Sequence, residues 1–398
     1  MISTILFFVM CASLQAQNLL SDGAQVSLLT CSPSDRAAYT LYGHTAVRVR
    51  DTAGVDYVFN YGIFDFSKPN FVYRFTRGET DYMLGVYRYE DFIIDYQMRG
   101  SEVYEQRLNL LPHEKNALCQ ALFLNAQPEN RVYRYSFFYD NCSTRPAALI
   151  ERVVDGRIEY GEYAAGPAFR DVINKCTRAQ PWLTFGCDLV LGMPADRVMT
   201  RAESFFLPAN VKEAFARAQI VGGDGASRPL VSSAGAVVEA VPDDEPARRN
   251  PFTPLLCSSL VFALAAGLTV AERRAGWYCR WFDVSLLTVA GLAGCLLYFL
   301  CFVSVHRGIW PNVSVVWLHP LHLAGAVCIA VKRFGRAAYY YHSVSFVALL
   351  ALSAGWIFVP QHLNVAFVPL MATLLLRSGC GWKGFKGKIR NGLNEYMR

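Results

Sequence analysis

The feature that most constrains the fold of this chain is a series of hydrophobic stretches in its last third. A helix needs about 20 predominantly apolar residues to cross a bilayer, within a range around that length. The stretches therefore predict an α-helical membrane bundle of about five spans, or of four spans if the short last stretch does not cross. They cover residues 254–270, 282–305, 313–331, 344–359 and 365–376.

Basic residues indicate the direction of these spans. Cytoplasmic loops carry an excess of Lys and Arg, and in a five-span arrangement only Arg307 falls in the two opposite inter-helix loops. The C-terminus is therefore predicted in the cytoplasm and residues 17–250 outside. The net charge of +6 then follows mostly from topology and requires no nucleic-acid partner. The residues on the basic side are Arg273, Arg274, Arg280, Lys332, Arg333, Arg336, Arg377, Lys383, Lys386, Lys388, Arg390 and Arg398.

Composition divides the rest of the chain into segments. Residues 1–16 have a short apolar core followed by small residues, which predicts a signal peptide, with a short uncleaved anchor as the alternative. Residues 17–221 are predicted to form the exported domain. Residues 222–251 are rich in Gly, Ala, Ser, Pro and charge and are interpreted as a linker. Residues 252–378 form the predicted transmembrane domain, and residues 379–398 a basic cytoplasmic tail.

The exported segment mixes strand and helix signals, so we predict an α+β fold. Strand patterns cover residues 25–31, and residues 44–50 and 55–61 form a predicted hairpin around the turn 51–54. Residues 131–138 are rich in β-forming residues. Helices are predicted at about 113–125, 147–154 and 208–220.

Cys142 has the features of a nucleophile. It is predicted at a strand-to-helix junction, where unpaired amides and the positive end of the helix dipole favour a thiolate. Arg145, one turn later, adds to the positive field. Asn141, Ser143 and Thr144 are suited to cap the helix. The alternative is a buried structural cysteine beside an ordinary helix cap.

The cysteine count of the exported domain is odd. In an oxidising compartment one thiol is then left unpaired, and we predict that it is Cys142. Cys176 with Cys187, and Cys31 with Cys119, are pairings that the sequence permits without establishing them.

Histidine is scarce in the exported domain, which directs attention to His44. The other histidine, His113, begins a predicted helix and is better explained as a solvated residue. A three- or five-residue hairpin turn would place Asn60 opposite His44, and an amide can hold the imidazole in one orientation and tautomer. A two-residue turn would place Tyr61 there instead, and Asn60 would then be an ordinary polar strand end.

Several other polar residues are candidates for substrate binding. In the exported domain, Arg145 and Arg170 could meet a phosphate or carboxylate, with surface ion pairs as the alternative. In the membrane region, Asn312, His319 and His322 are candidates for contact with a headgroup or lipoprotein, with interhelical hydrogen bonding as the alternative. The exported domain contains no metal-ligand spacing and no nucleotide-binding fingerprint, so neither a metal nor a cofactor is predicted.

Four sets of residues carry a resemblance to a known family: Tyr42-Gly43-His44-Thr45-Ala46, Asn60-Tyr61-Gly62 with Phe64-Asp65-Phe66, Asn141-Cys142-Ser143-Thr144, and Trp317 to Pro320 after Asn312. Together they resemble the Lnb family of lipoprotein N-acyltransferases. A histidine that precedes the cysteine also resembles circularly permuted papain-like (NlpC-type) hydrolases, among which lecithin–retinol acyltransferase is similar in its Asn-Cys nucleophile. The resemblance implies a permuted papain-like periplasmic domain followed by a multi-span domain in a bacterial inner membrane.

The resemblance also implies a reaction and its partners. An acyl chain would move from a membrane phospholipid, through a Cys142 thioester, to the α-amine of a lipoprotein N-terminal diacylglyceryl-cysteine. His44 would serve as acid and base, and Asn60 would orient it. A membrane-anchored peptidoglycan amidase or endopeptidase is the second enzymatic hypothesis. A scaffold in which these residues are structural is the non-enzymatic one.

Overall fold

The computed structural model describes residues 20–64, 69–163, 166–241 and 250–396. These residues divide into two compact units. The first contains the described residues up to Phe71, Thr80–Gly166 and Met199–Pro246, and the second contains Val72–Glu79, Pro167–Val198 and the chain from Ala247. Residues 72–79 and 167–198, which the sequence places in the exported domain, thus belong to the unit of the C-terminal helices. The predicted signal peptide at residues 1–16 lies outside the described residues.

An antiparallel sheet forms the centre of the first unit. In the described part of the chain it has seven strands: β1 (Gln25–Cys31), β2 (His44–Arg50), β3 (Asp56–Ile63), β4 (Asp81–Arg88), β5 (Val103–Leu108), β6 (Val132–Arg134) and β10 (Val231–Val238). Their order across the sheet is β10-β5-β1-β2-β3-β4-β6.

Helices cover both faces of this sheet because its strands carry apolar residues at neighbouring positions, and successive side chains of a strand point to opposite faces. Leu29, Ala46 and Val58 pack on one face against α2 (Tyr89–Arg99). Leu28 and Val47 belong to the larger core on the other face. That core also receives the helices α3 (Pro112–Ala126), α4 (Thr144–Val153) and α8 (Pro208–Arg217). The fold of the first unit is therefore α+β, with α7 (Arg201–Ser204) as a further short helix.

Two expectations for this unit are wrong in detail. The β-rich run 131–138 gives only the three-residue strand β6, because the chain then turns through a bridge between Ser136 and Asp140. The first half of the expected linker 222–251 is also ordered as strands. β9 (Ser227–Pro229) lies in a small sheet with β7 (Arg157–Glu159) and β8 (Gln219–Val221), and β10 pairs with β5. Residues 242–249 of that expected linker lie outside the described residues.

Long apolar helices make up most of the second unit. Within the described residues, four segments are long and apolar enough to cross a membrane: α9 (Pro254–Ala275), α10 (Arg280–Phe302), Val313–Ala330 and α12 (Gly335–Ala354). α11 (Leu321–Ala330) is the regular part of the third. The fifth predicted stretch lies in α13 (Phe367–Tyr396), whose apolar part is the shorter Phe367–Gly381.

Polar contacts link the helices of the second unit at two places. Arg377 of α13 is almost fully buried and pairs with Glu272 at the end of α9 and with Asp283 at the start of α10. Arg170 of α5 (Phe169–Thr177) pairs with Asp188 of α6 (Pro181–Val190) and with Asp196. The remaining helix, α1 (Phe71–Arg77), contributes most of its residues to this unit.

Neither suggested disulfide is formed. Cys31 and Cys119 are free thiols that lie in separate cores on opposite faces of the sheet. Burial raises the pKa of Cys31 to about 12 and that of Cys119 to about 11. Cys176 is also a free thiol, so the short loop to Cys187 is not closed. Cys142 is free as predicted, although these other free thiols remove the argument from an odd count.

Candidate active site

The turn that presents Cys142 is fixed by Asn141. The Oδ1 atom of Asn141 accepts hydrogen bonds from the backbone N–H groups of Ser143 and Thr144, at 2.8 and 2.9 Å, and so caps α4. Its Nδ2 atom donates to the carbonyl oxygens of Phe137 and Phe206. With its donors and acceptor used in this way, Asn141 holds the start of α4 and Cys142 in one conformation.

His44 begins β2, and its ring is held by Asn60 of β3. The distance from His44 Nε2 to Asn60 Oδ1 is 2.5 Å. Neither of the two registers that we considered is observed, because the pairing of Val47 with Phe59 and of Arg50 with Asp56 aligns Asn60 with Ala46, two residues from His44. A shift of two keeps a side chain on the same face of a strand, so Asn60 still reaches His44 diagonally.

Cys142 and His44 form a hydrogen-bonded pair in which each shifts the pKa of the other. Burial opposes the thiolate, but the charge of His44, its hydrogen bond and the backbone N–H groups of Thr45 and Cys142 lower the pKa of Cys142 below its usual value. Burial also opposes the imidazolium, but the Cys142 thiolate and then Asn60 raise the pKa of His44 above its usual value. Both shifts favour a thiolate–imidazolium pair.

Gly62 also belongs to the site, although in the sequence it is only part of a motif. It lies in a bulge of β3 with φ +91°. A Cβ atom placed on it would lie 3.3 Å from Cys142 Cβ, 3.9 Å from Tyr135 Cε2 and 4.0 Å from His44 Cε1. Gly62 is thus the point at which Cys142, His44 and the Tyr135 ring meet. A glycine inside a strand pattern often marks such a close approach, which is the signal that would have found it.

Aromatic rings form one side of the site. Tyr135 stacks on Tyr82 with ring centroids 4.1 Å apart. Burial, followed by the nearby Cys142 thiolate, raises the pKa of Tyr82 to about 12, and the same two causes raise the pKa of Tyr135. Both phenols therefore stay neutral beside the thiolate.

Arg145 is engaged within the protein. Its Nε and Nη2 atoms donate to the carboxylate of Asp140, at 2.5 and 2.8 Å. Its guanidinium also lies 3.6 Å from the centre of the Tyr133 ring. These contacts place Arg145 as a structural support of the Cys142 turn, with a positive charge close to the start of α4.

The three membrane-region candidates lie in the second unit. The Asn312 amide caps the turn at Ser314, donates to the carbonyl oxygens of Leu189 and Val190, and accepts from Gln361. His322 is fully buried and uses both ring nitrogens, one with Tyr341 and the other with the Trp317 carbonyl oxygen. For these two residues the geometry matches the alternative of hydrogen bonding between elements of the bundle.

His319 differs from its neighbours. Its ring stacks on that of His322, with centroids 3.9 Å apart, and its buried Nδ1 atom has no hydrogen-bond partner among the described residues. The structure therefore brings His44, Asn60 and Cys142 together, keeps Arg145 beside them, and places Asn312, His319 and His322 in the other unit.

The chemistry available to the site is nucleophilic substitution at a carbonyl group. A thiolate is paired with an imidazolium that can deliver a proton to a leaving group and remove one from an incoming nucleophile. Among the described residues, no group of three His, Cys, Asp or Glu side chains is placed to hold a metal ion.

Comparison with protein families gives two matches. Residues 14–175 match the model of the Lnb N-terminal periplasmic domain, and residues 246–384 match that of the Lnb transmembrane domain. No curated protein and no solved structure matches the chain significantly. The two matched segments contain the His44–Asn60–Cys142 site and the long apolar helices, respectively. The chain therefore belongs to the Lnb family, as a membrane protein with an N-terminal periplasmic domain.

Proposed function

We propose that this protein is a lipoprotein N-acyltransferase of the bacterial inner membrane. The observation that carries the proposal is the Cys142–His44 pair, oriented by Asn60, in an Lnb periplasmic domain that is joined to an Lnb transmembrane domain. An enzyme that takes a phospholipid as acyl donor and a lipoprotein as acyl acceptor must work at a membrane surface, and this chain combines a nucleophile with a membrane region.

In the first half-reaction, the Cys142 thiolate attacks the carbonyl carbon of a phospholipid acyl ester. The ester C–O bond breaks, and the leaving lysophospholipid oxygen takes a proton from the His44 imidazolium. The products are a Cys142 thioester and neutral His44. The hydrogen bond between Asn60 Oδ1 and His44 Nε2 keeps the imidazole ring in the orientation that this transfer needs.

In the second half-reaction, the α-amine of the lipoprotein's N-terminal diacylglyceryl-cysteine attacks the thioester. The amine proton passes to His44, the C–S bond breaks, and the thiolate–imidazolium pair is restored. The amine competes well with water if the site excludes water. Cys142 is 9% exposed and Tyr82 8%, in agreement with that need.

The arrangement also supports a circularly permuted papain-like fold for the periplasmic domain. His44 and Asn60 lie on neighbouring antiparallel strands and precede Cys142, which is followed by a helix packed on the same sheet. We place the catalytic domain in the periplasm, extended beyond the expected bounds 17–221 by β9 and β10, and the C-terminus in the cytoplasm.

The direct test is to detect the acyl-enzyme. Full-length protein is incubated with a phospholipid that carries isotope-labelled acyl chains, and the intact mass and the labelled peptide are measured. We expect one labelled acyl group on Cys142 in the native protein and in Cys176→Ser, and none in Cys142→Ala. Cys176 is a suitable control because it is a free, half-buried thiol of the other unit.

A second measurement identifies the acceptor. Mass spectrometry of lipoprotein N-termini from cells with and without the protein is expected to show one additional N-linked acyl chain when it is present. An unchanged number of acyl chains would contradict the proposal. Release of muropeptides without acylation of Cys142 would favour the peptidoglycan amidase or endopeptidase. Full complementation by Cys142→Ala would favour the scaffold.

A further inference from the structure

The short helix α1, inserted in the chain between β3 and β4, exposes apolar side chains. Val72 is 77% exposed, Tyr73 51% and Phe75 48%. Neighbouring large apolar residues that face outwards usually mark a surface that contacts another molecule or a membrane. The sequence shows these residues only as part of a long aromatic-rich run, so it gives them no distinct role.

Contacts within the second unit attach this segment to the end of α10. The Val305 N–H donates to the Arg77 carbonyl oxygen at 2.9 Å, and His306 Nε2 bonds to the Phe75 carbonyl oxygen at 2.8 Å. The Tyr73 ring lies 6.0 Å from that of Phe299, the last turn of α10. The segment is therefore held beside the C-terminal end of α10.

The topology of the chain indicates the side of the membrane on which this end of α10 lies. α9 follows the periplasmic domain, and α10 runs back across the membrane, so the Phe302 end of α10 is periplasmic if both helices cross. Phe302 and Trp310 are exposed at this end, with ring centroids 4.7 Å apart. Trp and Tyr side chains concentrate at the membrane–water interface, where an apolar ring and a polar edge are both accommodated.

We propose that α1 is an interfacial anchor whose Val72, Tyr73 and Phe75 side chains lie at the boundary between headgroups and acyl chains of the periplasmic leaflet. The occupant of this surface is the phospholipid of that leaflet. The surface is continuous with the exposed aromatic end of a membrane helix, which is the property that selects lipid over a protein partner. The inference depends on the contacts of α1 with α10 and does not require the acyltransferase activity.

Site-specific photo-crosslinking tests this anchor. The photoreactive residue p-benzoylphenylalanine replaces Val72 in the full-length protein, which is reconstituted in nanodiscs of radiolabelled phosphatidylethanolamine and phosphatidylglycerol. The matched surface control is Met98 of α2, which is 71% exposed but belongs to the first unit. The positive control is Val289, 69% exposed in the middle of α10.

We expect lipid adducts at positions 72 and 289, with at least tenfold less at position 98. Yields no higher at position 72 than at position 98, with labelling at 289 intact, would overturn the proposal. A crosslink from position 72 to a second copy of the protein would do the same. Repeating the measurement in Cys142→Ala separates the two proposals, because the anchor is expected to label equally whether or not acyl transfer takes place.

Discussion

At the scale of single residues, the ionisation of Cys142 depends on neighbouring groups that outweigh the effect of its burial. A buried thiol resists ionisation, as the raised pKa values of Cys31 and Cys119 show. At Cys142 the balance is reversed, and His44 is the largest of the contributions that lower its pKa. One thiol with a lowered pKa and two with raised pKa values thus occur in one domain, chiefly because only Cys142 has an adjacent imidazole.

We therefore predict that Cys142 reacts with iodoacetamide well below pH 9. Its pKa is lowered, so its alkylation persists as the pH falls and is lost only below that lowered pKa. Replacement of His44 by Ala removes the imidazolium and shifts the profile to higher pH, with at least about a tenfold slower reaction at pH 7. Peptide mapping measures the rates, and Cys176, whose pKa is raised by burial, serves as comparator in the same sample. Identical profiles for Cys142 and Cys176 would refute the ion pair.

Gly62→Ala is predicted to lower the proposed acyl transfer strongly, and the matched control is Gly54→Ala. Both glycines have φ +91°, so both substitutions carry a backbone strain of about 1–2 kcal/mol. Only the Cβ atom at position 62 meets other atoms, those of Cys142, Tyr135 and His44, whereas nothing lies within 4 Å of one at position 54. Activity and thermal stability are measured for both variants. An equal loss of activity would mean that strain, and not contact with the site, is responsible.

The sequence was sufficient to select the residues that meet at this site but not to give their exact placement. Scarcity singled out His44, and the junction before α4 singled out Cys142. The position of Asn60 depended on the length of the hairpin turn, which local composition does not determine. For Gly62 the sequence offered only the general signal of a glycine inside a strand, because its place in the site follows from a bulge of β3. Tyr135 could not be assigned, because its contact with Tyr82 follows from the pairing of β6 with β4.

At the scale of secondary-structure elements, composition misidentified β10. Its sequence of small residues resembles a linker, yet its backbone groups pair with β5. Ladder hydrogen bonds come from the main chain, so a strand whose side chains are mostly exposed needs no apolar pattern. β1, the β2–β3 hairpin and α3, whose apolar side chains are buried in the cores of the first unit, were predicted close to their observed bounds.

Because Arg170 is buried, its ion pairs are expected to contribute more to stability than the surface ion pair that the sequence suggested. Its side chain is 1% exposed and pairs with Asp188 and Asp196, so Arg170→Met leaves one buried and one partly buried carboxylate without their cation. We expect the local free energy of unfolding to fall by about 3–5 kcal/mol. Denaturant-dependent labelling of Cys176, on the same helix as Arg170, measures it.

The control for this prediction is Arg157→Met. The pair of Arg157 with Glu159 is exposed, with side chains 73% and 49% accessible, and its loss is expected to cost about 0–1 kcal/mol. Equal losses in the two variants would show that the buried pairs of Arg170 contribute no more than a surface pair.

At the scale of the whole molecule, the path of α13 decides the topology. The apolar part of this helix is short, but its first residue, Phe367, packs against Phe185 and Trp317. Further along the helix, Arg377 pairs with Glu272 in the last turn of α9 and with Asp283 in the first turn of α10. Contacts with both ends of the bundle favour a fifth crossing. Hydropathy alone did not decide whether there are four crossings or five. It also placed the start of the fourth stretch at residue 344, whereas α12 begins at Gly335, because tyrosines in the first half of α12 lower its hydropathy.

We predict a cytoplasmic C-terminus. A green fluorescent protein joined after residue 398 is expected to fluoresce, and alkaline phosphatase at the same position to be inactive. The control is fusion after residue 360, before α13, where the two reporters are expected to behave in the opposite way. Active phosphatase at residue 398 would show that α13 does not cross.

The pairing of β10 with β5 determines which soluble fragments of the periplasmic domain are worth expressing. A fragment that ends at residue 175, where the family match ends, or at residue 221 would leave the main-chain donors and acceptors of β5 unpaired. Such an open sheet edge recruits strands from other molecules and leads to aggregation. A fragment that extends to residue 241 keeps the strand that covers β5 and is expected to aggregate less on size-exclusion chromatography than the fragment that ends at residue 221.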